Sequence, residues 1–174
     1  MKSRTGFATV AGKDARLLIL GSFPGIRSLE AGEYYAHPQN VFWRIMGSLF
    51  GAGPEIPYAE RLKKLRENGV ALWDVLQCCE RPGSMDGAIV ETGSVPNDFP
   101  CFFAEKQRIT LICFNGQKAA LLYKRLVIPT LPGRHSSISR EVLPSTSPAY
   151  ASIPFEEKAK IWGLILGASI GRAD

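Results

Sequence analysis

The sequence lacks the long apolar runs and the leader segment that mark membrane and secreted proteins. Its longest apolar runs, residues 17–20 and 161–166, fall far below the ~20 residues that a membrane-spanning helix needs. The first ten residues contain no apolar stretch of the kind found in signal peptides. Hydrophobic residues nevertheless make up 45% of the 174 residues, which excludes a disordered chain. We expect one compact domain over residues 1–174, without a membrane span.

Cysteine and histidine are scarce. The chain has four cysteines and two histidines, namely Cys78, Cys79, Cys101, Cys113, His37 and His135. Their spacing matches neither a disulfide framework nor a CxxC…CxxC metal site. We therefore expect the cysteines to be small buried hydrophobes of a protein in the reducing cytoplasm, and we expect no metal or other cofactor.

A phosphate-binding glycine motif is also missing, because GSFPG at residues 21–25 has neither the GxGxxG spacing nor a Walker lysine. The excess of positive charge is modest: 21 Lys+Arg against 16 Asp+Glu gives a formal net charge of +5. This charge permits a polyanionic partner such as nucleic acid but does not by itself identify one.

Strand and helix patterns alternate along the chain. Short apolar runs predict buried strands at residues 16–21, 70–76, 109–114 and 142–143. Helical spacing of apolar residues predicts helices at residues 37–50, 58–67, 96–107, 116–125 and 155–170. The stretch CERPGSMDG, residues 79–87, is predicted to be irregular. The alternation indicates an α/β domain whose parallel sheet is covered by helices on both faces.

Three strand exits are rich in Gly, Pro and small polar residues, and parallel sheets bind ligands at this edge. The segments are GSFPG at 21–25, Asn115-Gly116, and PSTSPA at 144–149. We expect them to converge on one crevice. Each segment alone is also typical of a turn, Asn115 of a helix cap, and Asn40 of an exposed polar residue near a helix start. Residue patterns alone therefore predict a pocket without its chemistry.

Four motifs occur in order at these positions: GSFPG, YYAHPQNVFW at 34–43, FNG at 114–116 and STSPA at 145–149. Together they resemble the uracil-DNA glycosylase superfamily, over about residues 16 to 165. The AHPxNxFW pattern is shared with the mismatch-specific uracil/thymine branch. GSFPG, the Tyr34-Tyr35 pair, WDVL, GSMD and STSPA are most similar to the hypoxanthine-DNA glycosylase branch, called family 6. The resemblance implies a three-layer α/β/α sandwich with a central four-stranded parallel sheet.

The same resemblance implies roles for individual residues. Many superfamily members carry Asp or Asn where this chain has Phe23, and the hypoxanthine branch relies instead on the residue matching Asn40 for catalysis. Asn115 matches the residue that hydrogen-bonds the extruded base, and Tyr35 matches the aromatic residue that stacks on it. Ser145 stands where other members have His or Asn. We therefore assign Asn40 as catalytic and the other four residues to substrate binding.

The backbone of the first motif and the loop after the last strand complete the expected site. Gly21 and Ser22 would contribute backbone N–H groups that stabilise the departing base. Phosphate and duplex contacts are expected from Ser147, Pro148, Ala149 and Arg134, with Arg140 assisting. Ala149 stands where some members insert a bulky Leu into the duplex, so Tyr150 is an open alternative for that task.

The function implied is a monofunctional glycosylase that hydrolyses the N-glycosidic bond of a deaminated base, hypoxanthine first, flipped out of DNA. The expected partner is DNA that contains a deaminated or mismatched base, and the expected state is a monomer. A mismatch-specific uracil/thymine glycosylase is the alternative on the same fold. A DNA-binding module without catalysis is the alternative from another class, with a metal-dependent hydrolase as a more distant one.

Overall fold

The computed structural model describes residues 4–80, 85–133, 135 and 138–170. The strands within these ranges are β1 Arg4–Thr5, β2 Leu17–Gly21, β3 Val70–Asp74, β4 Leu76–Glu80, β5 Val90–Pro96, β6 Leu111–Asn115 and β7 Ser139–Leu143. The α-helices within them are α1 Ile26–Ala31, α2 Phe42–Phe50, α3 Tyr58–Glu67, α4 Phe99–Glu105, α5 Gln117–Leu122 and α6 Phe155–Ile170. Short helical turns occupy Asp86–Ala88, Tyr123–Val127 and Ile128–Thr130.

The central sheet has four parallel strands in the order β3-β2-β6-β7. Leu17 pairs with Val70 on one side and with Leu111 on the other, so the two central ladders start level. β2, β3 and β6 are buried along their whole length. Continuous burial is what their unbroken apolar sequences predict for a sheet covered on both faces.

Alternate residues of each strand face two separate cores. Leu18 and Leu20 of β2 belong to a cluster that α4 and α5 cover, with Phe99 and Phe102 among its members. Leu17 and Ile19 of the same strand belong to a second cluster, which α2, α3 and α6 cover. Helices on both faces of one parallel sheet confirm the predicted three-layer α/β/α sandwich.

A second, three-stranded antiparallel sheet was not predicted. It has the order β1-β4-β5, and Arg4 of β1 pairs with Cys79 of β4. The predicted strand 70–76 is wrong beyond Asp74, because Leu76 begins β4 of this other sheet. The prediction that 79–87 is irregular is also wrong at its start, since β4 continues to Glu80. Within the described residues, no helix has the length and apolarity to cross a bilayer.

Helix starts differ from the predictions around the second motif and after β2. The helix predicted from residue 37 begins only at Phe42, and residues 37–40 form a turn in which the Asn40 N–H donates to the His37 carbonyl at 2.9 Å. The Asn40 side chain then accepts a hydrogen bond from the Phe42 N–H at 3.0 Å. Such a bond satisfies a donor of the first helical turn and so begins α2 after Asn40 rather than before it. Helix α1, Ile26–Ala31, was not predicted at all.

Strand order fixes where a ligand crevice opens. From β2 the chain passes to β3 on one side, and it later enters β6 on the other side of β2. Connections that leave neighbouring strands in opposite directions open a crevice at the carboxyl ends of those strands. β2 ends at Gly21 and β6 ends at Asn115, so the first and third motifs border this crevice.

Candidate active site

A cavity of about 760 Å³ opens at the carboxyl ends of the parallel strands. Among the residues lining it are all the described candidates: Gly21, Ser22, Phe23, Tyr35, Asn40, Asn115, Ser145, Ser147, Pro148 and Ala149. Arg134 lies outside the described residues, so its contact with DNA stays a prediction from the sequence. Arg140 is exposed on β7 and is not part of the cavity lining. The predicted convergence of the three strand exits is confirmed.

The first motif is held down by the segment after β3. Val75 donates its N–H to the Gly21 carbonyl at 2.9 Å, and Leu76 donates to the Ser22 carbonyl at 3.1 Å. Gly21 also packs beneath a carboxylate, because a Cβ added there would lie 2.3 Å from Asp74 Oδ1 and 3.1 Å from the Tyr35 hydroxyl. These contacts leave no room for a side chain at position 21, and the two hydrogen bonds hold the backbone of the motif in a single conformation.

Phe23 occupies a buried position beside the cavity, with 4% of its surface exposed. It belongs to the core that includes Phe99 and Phe102. A side chain without hydrogen-bonding groups neither activates nor orients a water molecule. Phe23 therefore contributes apolar surface to the site and no hydrogen-bonding group.

Tyr35 adopts a left-handed backbone conformation with φ 55°. Bulky residues rarely adopt such angles, and the cost is of order ~1–3 kcal/mol. Tyr34 anchors the segment, since Trp43 Nε1 donates to its carbonyl at 2.8 Å and Tyr58 Oη accepts from its N–H at 2.9 Å. The Tyr35 ring stacks on Phe42 with centroids 4.0 Å apart. The result is an aromatic platform at the cavity wall, supported from behind by Phe42.

Asn40 lies in the turn before α2 and is partly exposed to the cavity. Its Oδ1 accepts from the Phe42 N–H, so the amide has one fixed end. An amide oxygen can accept two hydrogen bonds and the NH₂ group can donate two. The bond to Phe42 therefore orients the amide and leaves other hydrogen-bonding positions for a ligand or a water molecule.

Asn115 ends β6 and is 7% exposed. Its Nδ2 donates to Thr146 Oγ1 at 2.8 Å, and its Oδ1 accepts from the Thr146 N–H at 2.9 Å. One N–H and one lone pair of the amide are not used by these two bonds. The amide can thus offer a donor and an acceptor to a ligand in the cavity.

The loop at residues 144–150 is pinned at both ends by α6. Trp162 Nε1 donates to the Pro144 carbonyl at 3.0 Å, and Lys158 Nζ donates to the Tyr150 carbonyl at 2.5 Å. Burial lowers the pKa of Lys158. Tyr150 is 42% exposed at the cavity mouth. The loop is therefore a firm edge of the crevice that presents an aromatic side chain.

Several cavity residues were not identified in the sequence. Asp74, 4% exposed, ends β3 and lines the cavity, and the polar residue inside the apolar run VALWDVL was the available indication. Arg27 on α1, His37 and Met85 also line the cavity. Met85 is 61% exposed on the β4–β5 connection, and it belongs to the GSMD motif, from which no role was assigned.

The surroundings of Tyr34 disfavour ionisation of its phenol. Burial, followed by the nearby carboxylate of Asp74, raises the pKa of Tyr34 well above its usual value. Its hydroxyl donates to the Ala8 carbonyl at 3.2 Å. In the part of the chain that the structure describes, no three His, Cys, Asp or Glu side chains form a group suited to a metal ion.

This fold and site define an α/β protein with a ligand cavity at the carboxyl edge of a parallel sheet, lined by an aromatic platform and by amides of fixed orientation. Comparison with known families then identifies the group. The model of the Uracil DNA glycosylase superfamily matches residues 8–165. The chain belongs to this superfamily, and the resemblance inferred from its motifs is confirmed.

Two curated relatives and one solved structure are similar along most of the chain. A hypoxanthine DNA glycosylase from Methanosarcina acetivorans is 36% identical over 146 residues, which are 79% of this chain and 91% of the relative. A hypoxanthine DNA glycosylase from Methanosarcina barkeri is 37% identical over 117 residues, 67% of this chain and 73% of that protein. A solution NMR structure of a candidate uracil DNA glycosylase from M. acetivorans has a TM-score of 0.78, with 32% identity and coverage of 97% and 99%.

Proposed function

We propose that this DNA glycosylase releases hypoxanthine from deoxyinosine in DNA by direct hydrolysis of the N-glycosidic bond. The observation that carries the proposal is the pair of oriented amides, Asn40 and Asn115, that line one cavity with the Tyr35 platform. The names of the two similar Methanosarcina proteins support the choice of base.

Base recognition is assigned to Tyr35 and Asn115. A base flipped out of the duplex loses stacking, and stacking on an aromatic ring recovers about 1–3 kcal/mol. Deamination replaces an amino donor by an oxo acceptor and puts a hydrogen on the neighbouring ring nitrogen. An amide of fixed orientation therefore complements a deaminated edge and mismatches the amino parent, which is a strong form of discrimination.

Catalysis is assigned to Asn40. The leaving base departs as an anion from a sugar with oxocarbenium character, so the attacking water needs a position more than it needs a strong base. A neutral amide whose oxygen is fixed by the Phe42 N–H can supply that position. Backbone N–H groups of Gly21 and Ser22 are assigned to stabilise the anion. Ser145, which lines the cavity beside Gly116, is assigned to substrate binding.

The grip on DNA is assigned to the loop at 144–150, with Ser147, Pro148 and Ala149 at its tip. Ser147 Oγ accepts from the Ala149 N–H at 3.3 Å, so the tip is a compact turn. The loop itself has no charged residue, so Arg134 is assigned to supply positive charge to the phosphates that the loop contacts.

The deciding experiment is a base-release assay on duplexes that contain deoxyinosine, deoxyuridine, deoxyxanthosine or a G:T pair. We expect release of hypoxanthine to be the fastest. Asn40→Ala and Asn40→Asp should both lose base release. Asp keeps an acceptor for the Phe42 N–H but has no NH₂ group, so this variant separates the helix-capping bond from the catalytic role.

Asn68→Ala is the matched control, because Asn68 Nδ2 donates to the Lys64 carbonyl at the end of α3, before the amino end of β3 and so at the edge of the sheet remote from the cavity. Its base release should equal that of the wild type. Full activity of both Asn40 variants would remove Asn40 from the mechanism. Faster release of uracil or mismatched thymine would favour the mismatch-specific alternative, and binding without release would favour the inactive DNA-binding module.

Further expectations belong to the same proposal. We propose that residues 1–174 act as one domain, as a monomer, in a cytoplasmic compartment where the cysteines stay reduced. The mechanism proposed needs no metal. Undiminished activity in excess EDTA and a monomeric mass in solution are the expected results.

A further inference from the structure

Thr146 makes three hydrogen bonds that join separate parts of the cavity wall, although it is only 1% exposed. Its Oγ1 and its N–H bond the two ends of the Asn115 amide, at 2.8 and 2.9 Å. Its carbonyl accepts from the Val41 N–H at 3.1 Å, next to Asn40. One buried residue of the loop thus contacts the segments of both proposed functional amides.

The contact with Asn115 defines which end of the amide is oxygen. A backbone N–H can only donate, so the atom facing the Thr146 N–H must be Oδ1. The NH₂ group then faces Thr146 Oγ1, which accepts from it. Turning the amide over would place an NH₂ group against an N–H donor and lose both bonds.

We infer that Thr146 is a positioning residue that fixes the orientation of the Asn115 amide and sets its distance from the Asn40 segment. The inference rests on the proposed function, in which Asn115 reads the edge of the extruded base. An amide free to turn over would accept an amino edge as readily as an oxo edge. The two bonds from Thr146 remove that freedom, so the side chain presents a single donor and acceptor pattern.

The carbonyl of Thr146 extends the same control to Asn40. The Thr146 carbonyl accepts a hydrogen bond from the N–H of Val41, the residue immediately before α2. The next N–H along the chain, that of Phe42, donates to the Asn40 side chain. A shift of Thr146 would therefore move the base-reading amide and the water-positioning amide relative to each other. A displacement of about 1 Å between reacting groups lowers a rate by about 100-fold.

The test compares Thr146→Val with Thr146→Ser. Val has nearly the shape of Thr but no hydroxyl, so the Asn115 NH₂ group loses its acceptor while the backbone bonds can form. We expect Thr146→Val to reduce the single-turnover rate of hypoxanthine release about 10- to 100-fold. Affinity for undamaged duplex should not change, and Thr146→Ser should keep nearly the wild-type rate.

Thr130→Val is the matched control, since its hydroxyl donates to the Val127 carbonyl at 2.7 Å away from the cavity lining. This variant should release base at the wild-type rate. A wild-type rate for Thr146→Val, or an equal loss in Thr146→Ser, would overturn the inference. Failure of the unmodified protein to release hypoxanthine would instead contradict the proposed function.

A spectroscopic measurement tests the orientation without any activity. The side-chain NH₂ resonances of Asn115 should shift and exchange faster with solvent in Thr146→Val, and should keep their wild-type positions in Thr146→Ser. Unchanged Asn115 resonances in Thr146→Val would contradict the inference, whichever base the enzyme releases.

Discussion

Gly21→Ala tests the contact that fixes the first motif. The added Cβ would lie 2.3 Å from Asp74 Oδ1 and 3.1 Å from the Tyr35 hydroxyl. Carbon and oxygen atoms do not approach to 2.3 Å without a bond, so the backbone or the carboxylate must move. Asp74 is only 4% exposed, so its short side chain has little room to move away. Its carbonyl is held by Asn97 Nδ2 at 2.8 Å.

The backbone of Gly21 is equally restrained, because its carbonyl accepts from the Val75 N–H at 2.9 Å and its strand is central in the sheet. Overpacking of a well-packed interior costs about 1–3 kcal/mol. We therefore expect Gly21→Ala to lower the free energy of unfolding in urea by this amount.

Gly163→Ala is the control for the same substitution. Gly163 lies inside α6, where an added Cβ would meet Leu49 Cδ2 at 3.5 Å, an ordinary contact. Replacing glycine by alanine inside a helix stabilises it by about 0.5–1 kcal/mol. The two variants should therefore change stability in opposite directions.

A double-mutant cycle identifies the partner. Combining Gly21→Ala with Asp74→Ala should recover at least about 1 kcal/mol relative to the sum of the single changes, because the clashing carboxylate is gone. Stability of Gly21→Ala equal to that of the wild type would refute the reasoning. Simple additivity in the cycle would show that Asp74 is not the obstacle.

Further predictions concern thiols and charges. Iodoacetamide should modify exposed Cys101 first and buried Cys113 only after unfolding, because burial raises the pKa of the Cys113 thiol to about 12. In the unfolded chain the Cys113 thiol ionises at its ordinary, lower pKa, so Cys113 should make the free energy of unfolding fall as pH rises from that value toward 12. The urea midpoint of the wild type should therefore fall over this interval relative to that of Cys113→Ala, and a rise would contradict the prediction. Arg27→Gln should reduce the slope of log Kd for duplex DNA against log salt concentration by about one. The exposed Arg27 side chain lines the cavity, and its ion pair with Glu30 is long, at 3.9 Å, so the guanidinium can contact a phosphate. Lys158→Met should weaken duplex binding with an unchanged slope, because its ammonium holds the Tyr150 carbonyl, and a lower slope would mean that Lys158 meets a phosphate directly.

The parallel sheet and the long helices were predictable because each has a strong local pattern. The buried run LLILG and the helix Tyr58–Glu67 need no distant information, and both lie where the sequence predicts them. The antiparallel strand β4 was missed because its burial has no period of two: Leu76 and Cys79 are buried, two less buried residues separate them, and the register with β5 shifts along the strand. A pattern created by partners distant in sequence is not visible in the segment itself.

Site residues were predictable where a motif fixed them and not where a contact did. Asn40 was found from its motif but assigned to a helix, since the turn that precedes α2 depends on its own side-chain bond to Phe42. Asp74 was missed because its burial against Gly21 joins two strands. The role of Thr146 depends on Asn115, 31 residues away, and no property of STSPA predicts that pairing.

The presence of Phe23 in the first motif explains why hydrogen bonds that orient the two amides matter in this chain. A buried, apolar side chain at that position forms no hydrogen bond to water, so in the proposed mechanism a neutral amide, that of Asn40, places the water that attacks the sugar. A neutral amide offers no charge to attract its target, and its contribution depends on orientation fixed before the substrate arrives. The Phe42 N–H holds the Asn40 amide at the start of α2, and Thr146 holds the Asn115 amide from the loop pinned by α6. The proposed mechanism therefore depends on the rigidity of the hydrogen bonds that hold Asn40 and Asn115, and not on the acidity of a side chain at position 23.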